Sequence, residues 1–287
     1  MCKINPKVDL AFKKLFGSEE NKDLLISFIN SVLSEQEQIT DITIKNTYNI
    51  SNYINGKMSI LDIKAVDENG KWYDIEIQVA PQTFYDKRAL YYWAKVYSDQ
   101  LQEKGRYGAL NKTIGINVLD FHYLEGNEYH NTYKLYNTKT KVEFSDILEL
   151  HFIELKKFDK NLKDIRTALD RWVAFLNNAY EYSKNKIPKE LEEDKNIKKA
   201  IEVLDVMYLD EDEKALYEQN LKALIDKQEE LDTAREEGIK EGIKEGIKEG
   251  SISIARNLIN IGLKKEDIIK ATGLSKEEIE KIIEEIH

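Results

Sequence analysis

The side chains best placed for chemistry fall between positions 58 and 79, in the run Met58-Ser-Ile-Leu-Asp62-Ile-Lys-Ala-Val-Asp-Glu-Asn-Gly-Lys-Trp-Tyr-Asp-Ile-Glu76-Ile-Gln78-Val. Asn69-Gly70, between two strand-like stretches, signals a hairpin. Its loop is expected to be Glu68, Asn69 and Gly70, with Gly70 in the left-handed conformation that such loops favour. Asp67 then faces Lys71, and counting outward pairs Lys64 with Asp74, Asp62 with Glu76, and Ile60 with Gln78. Alternation along the strands puts Leu61, Ile63, Ala65, Tyr73, Ile75, Ile77 and Val79 on an apolar face and Asp62, Lys64, Asp74, Glu76 and Gln78 on the other. Directly opposed residues have Cβ atoms about 4.5–5.5 Å apart, and two carboxylates so placed repel unless a proton or cation lies between them. Asp62 and Glu76 are therefore a candidate Mg²⁺ site. Two arrangements compete with it. One is a solvated face on which Lys64 neutralises the acids; the other is a two-residue loop, which would send Asp62 and Glu76 to opposite faces.

These residues need elements to hold them. Val8, Phe12, Leu15 and Phe16 form a short helical stripe, and Leu24, Leu25, Phe28, Ile29, Val32 and Leu33 a longer one, with Ser18 as an N-cap between them. Strand patterns follow at Ile42 to Tyr48, Met58 to Val66 and Trp72 to Val79, the last stopped by Pro81. Thr83 and Asp86 have capping-box spacing, and Leu90, Trp93, Ala94, Tyr97 and Leu101 extend a helix towards Gly105. Strands are expected around Ile114 to Phe121, Thr132 to Tyr136 and Leu148 to Leu155. Helices follow from Leu162 to Tyr180, near 196–208 and at 213–231. The order is α, then β with one inserted helix, then α, an α/β (α+β) class with a mixed central sheet.

From Glu237 to Gly250 the chain repeats Glu-Gly-Ile-Lys every four residues, with Gly at 238, 242, 246 and 250 and Ile at 239, 243 and 247. In a helix each repeat drifts about 40° from the 3.6-residue turn, and each Gly costs about 0.5–1 kcal/mol against Ala. The repeat reads either as a low-complexity spacer or as a helix whose Gly and Ile columns let a second backbone approach. Ile252 to Ile261, Lys265 to Thr272 and Ser275 to Ile286 then suggest three short helices broken at Gly262 and Gly273, with Ser275 and Glu278 as a capping box. The pattern resembles a helix-turn-helix. Its last helix carries Glu277, Glu278, Glu280, Glu284 and Glu285 against Lys276 and Lys281, which favours a protein contact over DNA reading. The divisions expected are 1–160, a core; 161–236, a helical extension; 237–250, the repeat; and 251–287, a three-helix module.

The 287 residues include 41% hydrophobic and 10% aromatic side chains, which supports a packed core and argues against disorder. Cys2 is the single cysteine, which excludes an internal disulfide and suits a cytoplasmic setting. Lys and Asp near the N-terminus stand where a signal peptide needs apolar residues, and no run is long enough for a membrane helix. The net charge of −10 speaks against a polyanionic partner. It is uneven: residues 1–150 hold 18 basic against 21 acidic side chains, leaving 25 against 32 for the rest. Cations bound among carboxylates would further change the field that a phosphate meets.

An Asp in one strand and Glu-x-Gln in the next, followed by a helix, resembles the PD-(D/E)XK nuclease core. Together with the opening Asn5-Pro-Lys-Val-Asp-Leu-Ala-Phe-Lys-Lys-Leu-Phe16-Gly, the Arg88-xxx-Tyr92 helix and the glycine-punctuated tail, nearly the whole chain is similar to the recombination-promoting nuclease (Rpn) family, whose members are also described as transposases. The resemblance implies a catalytic set of Asp62, Glu76 and Gln78. It implies metal binding by Asp62, Glu76 and the Ile77 carbonyl, with Mg²⁺, Mn²⁺ or Ca²⁺ as the ion, and DNA contact by Arg88 and Tyr92. Gln78 stands where the superfamily usually has Lys, so a positive charge must come from elsewhere, and Arg88 is the expected substitute. An exposed Arg88 could be removed for no more than about 0.5 kcal/mol. Asp9 is a candidate additional acid, or an ordinary N-terminal helix charge.

The expected function is a metal-dependent DNA endonuclease, in recombination, mobile-element transfer or defence against foreign DNA, and homo-oligomeric through its C-terminal helices. The competitor is a weak or inactive scaffold assembling through the same helices. His122, His130, His151 and His287 lack metal-ligand spacing and read as surface or packing residues; no nucleophile elbow or phosphate-cradling glycine loop is present.

Overall fold

The computed structural model describes residues 4–45, 62–101, 105–183 and 185–286. They form two compact units, residues 1–224 and 225–287.

In the first unit, α1 (Asp9–Phe16) and α2 (Lys22–Val32) bury the apolar stripes that the sequence shows. Ser18 lies in extended backbone before a 3-10 turn at Glu19–Asn21, but its hydroxyl caps nothing, a departure from the N-cap expected there. The strands are β1 (Ile42–Ile44), β2 (Asp62–Asp67), β3 (Trp72–Gln78), β4 (Thr113–Leu119), β5 (His130–Tyr136) and β6 (Glu143–Glu154). Among the described residues they make one six-stranded sheet in the order β1-β2-β3-β4-β6-β5. β3, β4 and β6 run parallel, while β1, β2 and β5 pair antiparallel at the two sides, so the sheet is mixed. The remainder of the strands expected at 42–48 and 58–66, with Ile60 and Leu61, lies outside the described residues.

The β2–β3 hairpin has the three-residue loop. Asp67 N–H donates to the Lys71 carbonyl, Gly70 adopts φ 82°, and the Asp67 carboxylate accepts from the Asn69 and Lys71 amides. Lys64 pairs with Asp74 and Asp62 with Glu76. One face of the sheet carries Ile63, Ala65, Tyr73, Ile75, Ile77, Ile114, Ile116, Val118 and Ile153. It is covered by α1, α2, α4 (Ala168–Asn178) and α6 (Lys195–Val206), around an aromatic cluster of Phe12, Phe16, Phe28, Trp172 and Phe175. A side-chain capping box between Thr167 and Asp170 starts α4, and a single turn, α5 (Lys189–Glu192), precedes α6.

The other face is covered by α3 (Tyr85–Asp99), which packs on Leu119, Leu148, Leu150 and Phe152. Its buried stripe is Tyr85, Ala89 and Val96, with Trp93 partly buried, whereas Leu90 and Ala94 are exposed. Of the expected stripe Leu90, Trp93, Ala94, Tyr97 and Leu101, this corrects Leu90 and Ala94; Trp93, Tyr97 and Leu101 are partly buried, Leu101 just beyond the helix end. The capping box also fails, because the Asp86 amide and carboxylate both bond the Tyr123 hydroxyl and leave no partner for Thr83.

α7 (Glu211–Asn260) begins in the first unit, where Tyr217 accepts from the Asn5 amide and Glu213 pairs with Lys14. The Gly-Ile repeat lies within this helix. In the second unit the end of α7 is followed by α8 (Lys265–Thr272) and α9 (Lys276–Ile286), joined through left-handed Gly262 and Gly273. Ala255, Ile268, Leu274, Ile279 and Ile282 form its core, and Ser275 with Glu278 makes the reciprocal capping box. The first of the three expected helices is the end of α7 and not a separate element. Among the described residues no helix is long and apolar enough to cross a membrane.

Candidate active site

Glu76 occupies the middle of β3 on the face under α3, with Asp62 opposite it on β2 and Asn117 beside it on β4. The Asp62 side chain lies outside the described residues. Glu76 is 4% exposed. A carboxylate this deep needs charged or hydrogen-bonded partners, and α3 supplies them. Arg88 Nε and Nη2 donate to Oε1 at 3.1 and 2.6 Å, and the Tyr85 hydroxyl lies 3.1 Å from Oε2. That hydroxyl is also 3.0 Å from Asn117 Oδ1, and the Asn117 amide nitrogen donates to the His151 carbonyl. Burial, and then the Glu76 charge, holds the Tyr85 proton well above the ordinary phenol range.

Tyr85 and Arg88 are three apart and so share the helix face that meets the sheet. Arg88 also lies over the Tyr92 ring, 5.1 Å from its centroid, so these two side chains project together. Neither Tyr85 nor Asn117 emerges from the sequence reading. The signal for Asn117 was a lone amide in the apolar run Ile114 to Phe121; Tyr85 shows only once the helix phase is known.

Asp9, at the start of α1, joins this group electrostatically. Burial first, and then the nearby Glu76 charge, raises its pKa to about 6 against the opposing pull of Arg88. Gln78 is 8% exposed; its amide nitrogen donates to the Ala80 carbonyl at 3.2 Å, while Oε1 has no hydrogen-bond partner among the described residues. Because the atom facing a carbonyl must be the NH₂ group, the orphan is an acceptor. The Ile77 side chain is buried in the core on the opposite face.

The histidines do not join the site. On the opposite face, buried Glu149 accepts from His151 Nε2 at 2.8 Å and pairs with Lys112 and Lys134, and His151 Nδ1 lies 3.0 Å from His130 Nε2 and 3.1 Å from Thr132 Oγ1. His151 is thus a polar network member, His122 is exposed, and His287 lies outside the described residues.

The site thus combines a mixed sheet carrying two acidic residues in register on adjacent strands, an arginine-bearing helix laid over it and an acid on the first helix. A family model described as PD-(D/E)XK nuclease family transposase matches residues 6–234, and the chain belongs to that family. A second, the C-terminal HTH domain of the Rpn/YhgA-like nuclease family, matches residues 248–283. Neither a curated protein nor a solved structure matches the chain.

Members of this nuclease class use divalent metal ions. Among the described side chains, of which the Asp62 carboxylate is not one, no three of His, Cys, Asp or Glu converge as a metal cluster. The donor chemistry still fits a hard cation. Glu76, Asp62 in register with it and the orphaned Gln78 Oε1 are all oxygen donors.

Proposed function

We propose that the chain is a metal-dependent DNA endonuclease that hydrolyses phosphodiester bonds at the Glu76 site. The observation that carries this reading is a buried carboxylate held by Arg88 and Tyr85 with a second carboxylate residue directly across the hairpin. Asp62, Glu76 and the Ile77 carbonyl would hold the cation, with Mg²⁺ the ion that an all-oxygen set favours and Mn²⁺ or Ca²⁺ as substitutes. When bound, such an ion polarises a phosphate oxygen and makes a water molecule more acidic.

The chain's own residues do the rest. Tyr85 and Arg88 fix both oxygens of Glu76, so the carboxylate needs no reorganisation during reaction. Arg88, on Glu76 two residues before Gln78, is the residue to offset the missing lysine, and Tyr92 lies beneath its guanidinium. Gln78 Oε1, an acceptor, suits the hydrogen of an attacking water and cannot donate to a phosphate oxygen. Asp9 supplies the additional carboxyl group. The biological settings that fit are recombination, mobile-element transfer and defence against foreign DNA.

A helix-turn-helix is in general a DNA-binding architecture. In this one, Lys248 and Arg256 of α7 and Lys265 of α8 pair with Glu278, Glu285 and Glu280 of α9, which partly offsets that helix's acidity. We assign to this unit the assembly of a homo-oligomer, through the Gly and Ile columns before it.

One observation favours the scaffold reading: Arg88 and Tyr85 already occupy both oxygens of Glu76. Nicking of supercoiled plasmid with Mg²⁺ or Mn²⁺ separates the two. Asp62→Ala and Glu76→Gln should each lower the rate at least about 10²-fold, the order that loss of one transition-state stabilising group costs. Nicking equal to that of the wild type in both variants, or none from any of the three proteins, would end the nuclease reading.

A further inference from the structure

The first unit contains a cavity of about 500 Å³ away from Glu76, lined by Lys7, Lys156 and Lys160 with Asn177, Phe158 and Tyr180 among its walls. Among the described residues lining it there is no carboxylate. Lys7 is 8% exposed, and an ammonium that deep is costly unless something negative faces it. Asp120 does so from behind, 3.0 Å from Lys7 and 3.7 Å from Lys156, while Lys160 is held by Asp170 at 2.7 Å. Two carboxylates thus anchor three ammonium groups and leave an excess of positive charge on the cavity side. Asn177 Oδ1 also accepts from Lys7. Burial lowers the Lys7 pKa despite Asp120, so a further anion would be welcome there.

The position of the cavity matters as much as its charge. The parallel strands β3, β4 and β6 end at Gln78, Leu119 and Glu154, and ligands of open α/β sheets bind beyond such carboxyl ends. Asp120 follows β4 directly, and its amide donates to the Gln78 carbonyl at 2.9 Å, so the carboxylate that anchors Lys7 and Lys156 sits one hydrogen bond from the Glu76 strand. Lys7 is two residues from Asp9. The volume exceeds what a bare phosphate needs and falls within the range of about 300–1,000 Å³ typical of small-molecule sites. Phe158, held edge-on by Tyr129 at 5.1 Å, and the half-exposed Tyr180 give it an aromatic wall.

We propose that this cavity is a nucleotide subsite for the nucleic-acid strand, seating adjacent phosphates beyond the cleaved bond on Lys7, Lys156 and Lys160 and a sugar or base against Phe158 and Tyr180. The identity of the strand as substrate rests on the nuclease reading. The shared chemistry is a nucleoside phosphate, which a free nucleotide also offers, and the strand is favoured because Asp120, which anchors Lys7 and Lys156, is bonded to the Gln78 carbonyl at the end of β3.

The test is binding of a labelled single-stranded oligodeoxynucleotide to the full chain, followed by fluorescence anisotropy in EDTA so that cleavage plays no part. Lys156→Gln/Lys160→Gln should weaken binding about tenfold at physiological salt and reduce the slope of log K against log salt by about 1.4, the loss of two phosphate contacts on a single strand. Lys139→Gln, on the β5–β6 connection, should leave both unchanged. Because Lys160 also neutralises buried Asp170, the single variant Lys156→Gln is measured alongside with its melting temperature; an unshifted melt with a slope reduced by about 0.7 carries the same conclusion. Wild-type affinity and slope in both variants would overturn the subsite. Efficient displacement of the strand by deoxyadenosine monophosphate, with variants that affect only that nucleotide, would overturn its assignment to the strand. Nicking that depends on Glu76 beside unaltered strand binding would remove the subsite and leave the nuclease; binding lost only in the cavity variants, without nicking by any protein, would do the reverse.

Discussion

At the scale of single residues, the site turns on how Arg88 and Glu76 hold one another. An exposed arginine could be deleted at small cost, but Arg88 makes two hydrogen bonds to a carboxylate that is otherwise almost wholly enclosed. Charge-assisted bonds contribute about 1.5–3 kcal/mol, and leaving the buried acceptor behind adds its desolvation cost. Arg88→Ala is therefore expected to destabilise the metal-free protein by about 2 kcal/mol or more, above the 0.5 kcal/mol of the exposed case. Mg²⁺ should return part of that loss, since a cation compensates the same carboxylate. Urea unfolding of wild type and variant, with and without Mg²⁺, checks both statements; an equal Mg²⁺ effect on the two proteins would mean that Arg88 and the cation do not share Glu76. The Asp62–Glu76 register was legible in the sequence because a three-residue loop ending in glycine fixes the parity of the whole hairpin. Tyr85 was not, since a tyrosine shows its bonding partner only when the helix it sits on has a known rotation.

At the scale of elements, the same contrast separates hairpins from helix faces. Strand alternation has a period of two, so one loop length assigned every residue of β2 and β3 to a face. The helix α3 offers two overlapping apolar stripes: Leu90, Trp93, Ala94, Tyr97 and Leu101 keep helical spacing, but the protein buries Tyr85, Ala89 and Val96 and exposes Leu90 and Ala94. Polar demand decided the phase: Glu76 needs Tyr85 and Arg88, and satisfying it exposes Leu90. In the Glu149–His151–His130 network, Glu149 and His151 share a face of β6 two residues apart, but His130 joins them only through the β5–β6 register, which residue spacing does not show.

This network gives a pH prediction. Burial, followed by repulsion from His151, pushes the His130 pKa down to about 4 from 6.5. The native ring is neutral where the unfolded ring would already be protonated, so stability is full above about pH 6.5 and falls as pH drops towards 4. The fall is at most about 3 kcal/mol, less for a ring that retains some solvent contact. His130→Gln should flatten the decline between these pH values relative to wild type, as read by urea midpoints at pH 7 and 4.5. Parallel declines would show that His130 is not charged on unfolding in that window.

At the scale of the whole molecule, the question is what the three C-terminal helices and the repeat before them do. The three-helix unit closes a small core of its own, yet Ile254 and Ile261 remain exposed, as do Ile239, Ile243 and Ile247 along the repeat. A Cβ added at Gly238, Gly242, Gly246 or Gly250 would meet nothing within 4 Å. Within one chain these glycines therefore weaken α7 by about 0.5–1 kcal/mol each for no packing return. A second backbone lying along the column would supply that return, with the isoleucines as its apolar contact. The full chain should accordingly sediment as an oligomer and a chain ending at Leu231 as a monomer. Gly242→Ala/Gly246→Ala sharpens the test, because its two possible effects have opposite signs. If α7 stands alone, the variant gains helix stability and keeps its sedimentation coefficient; if two backbones meet there, the added methyl groups force them apart and the oligomer dissociates at higher protein concentration than wild type. Two monomers from the full and shortened chains would end the assembly idea, and a shortened chain that nicks plasmid faster than the full one would show that the tail restrains the site.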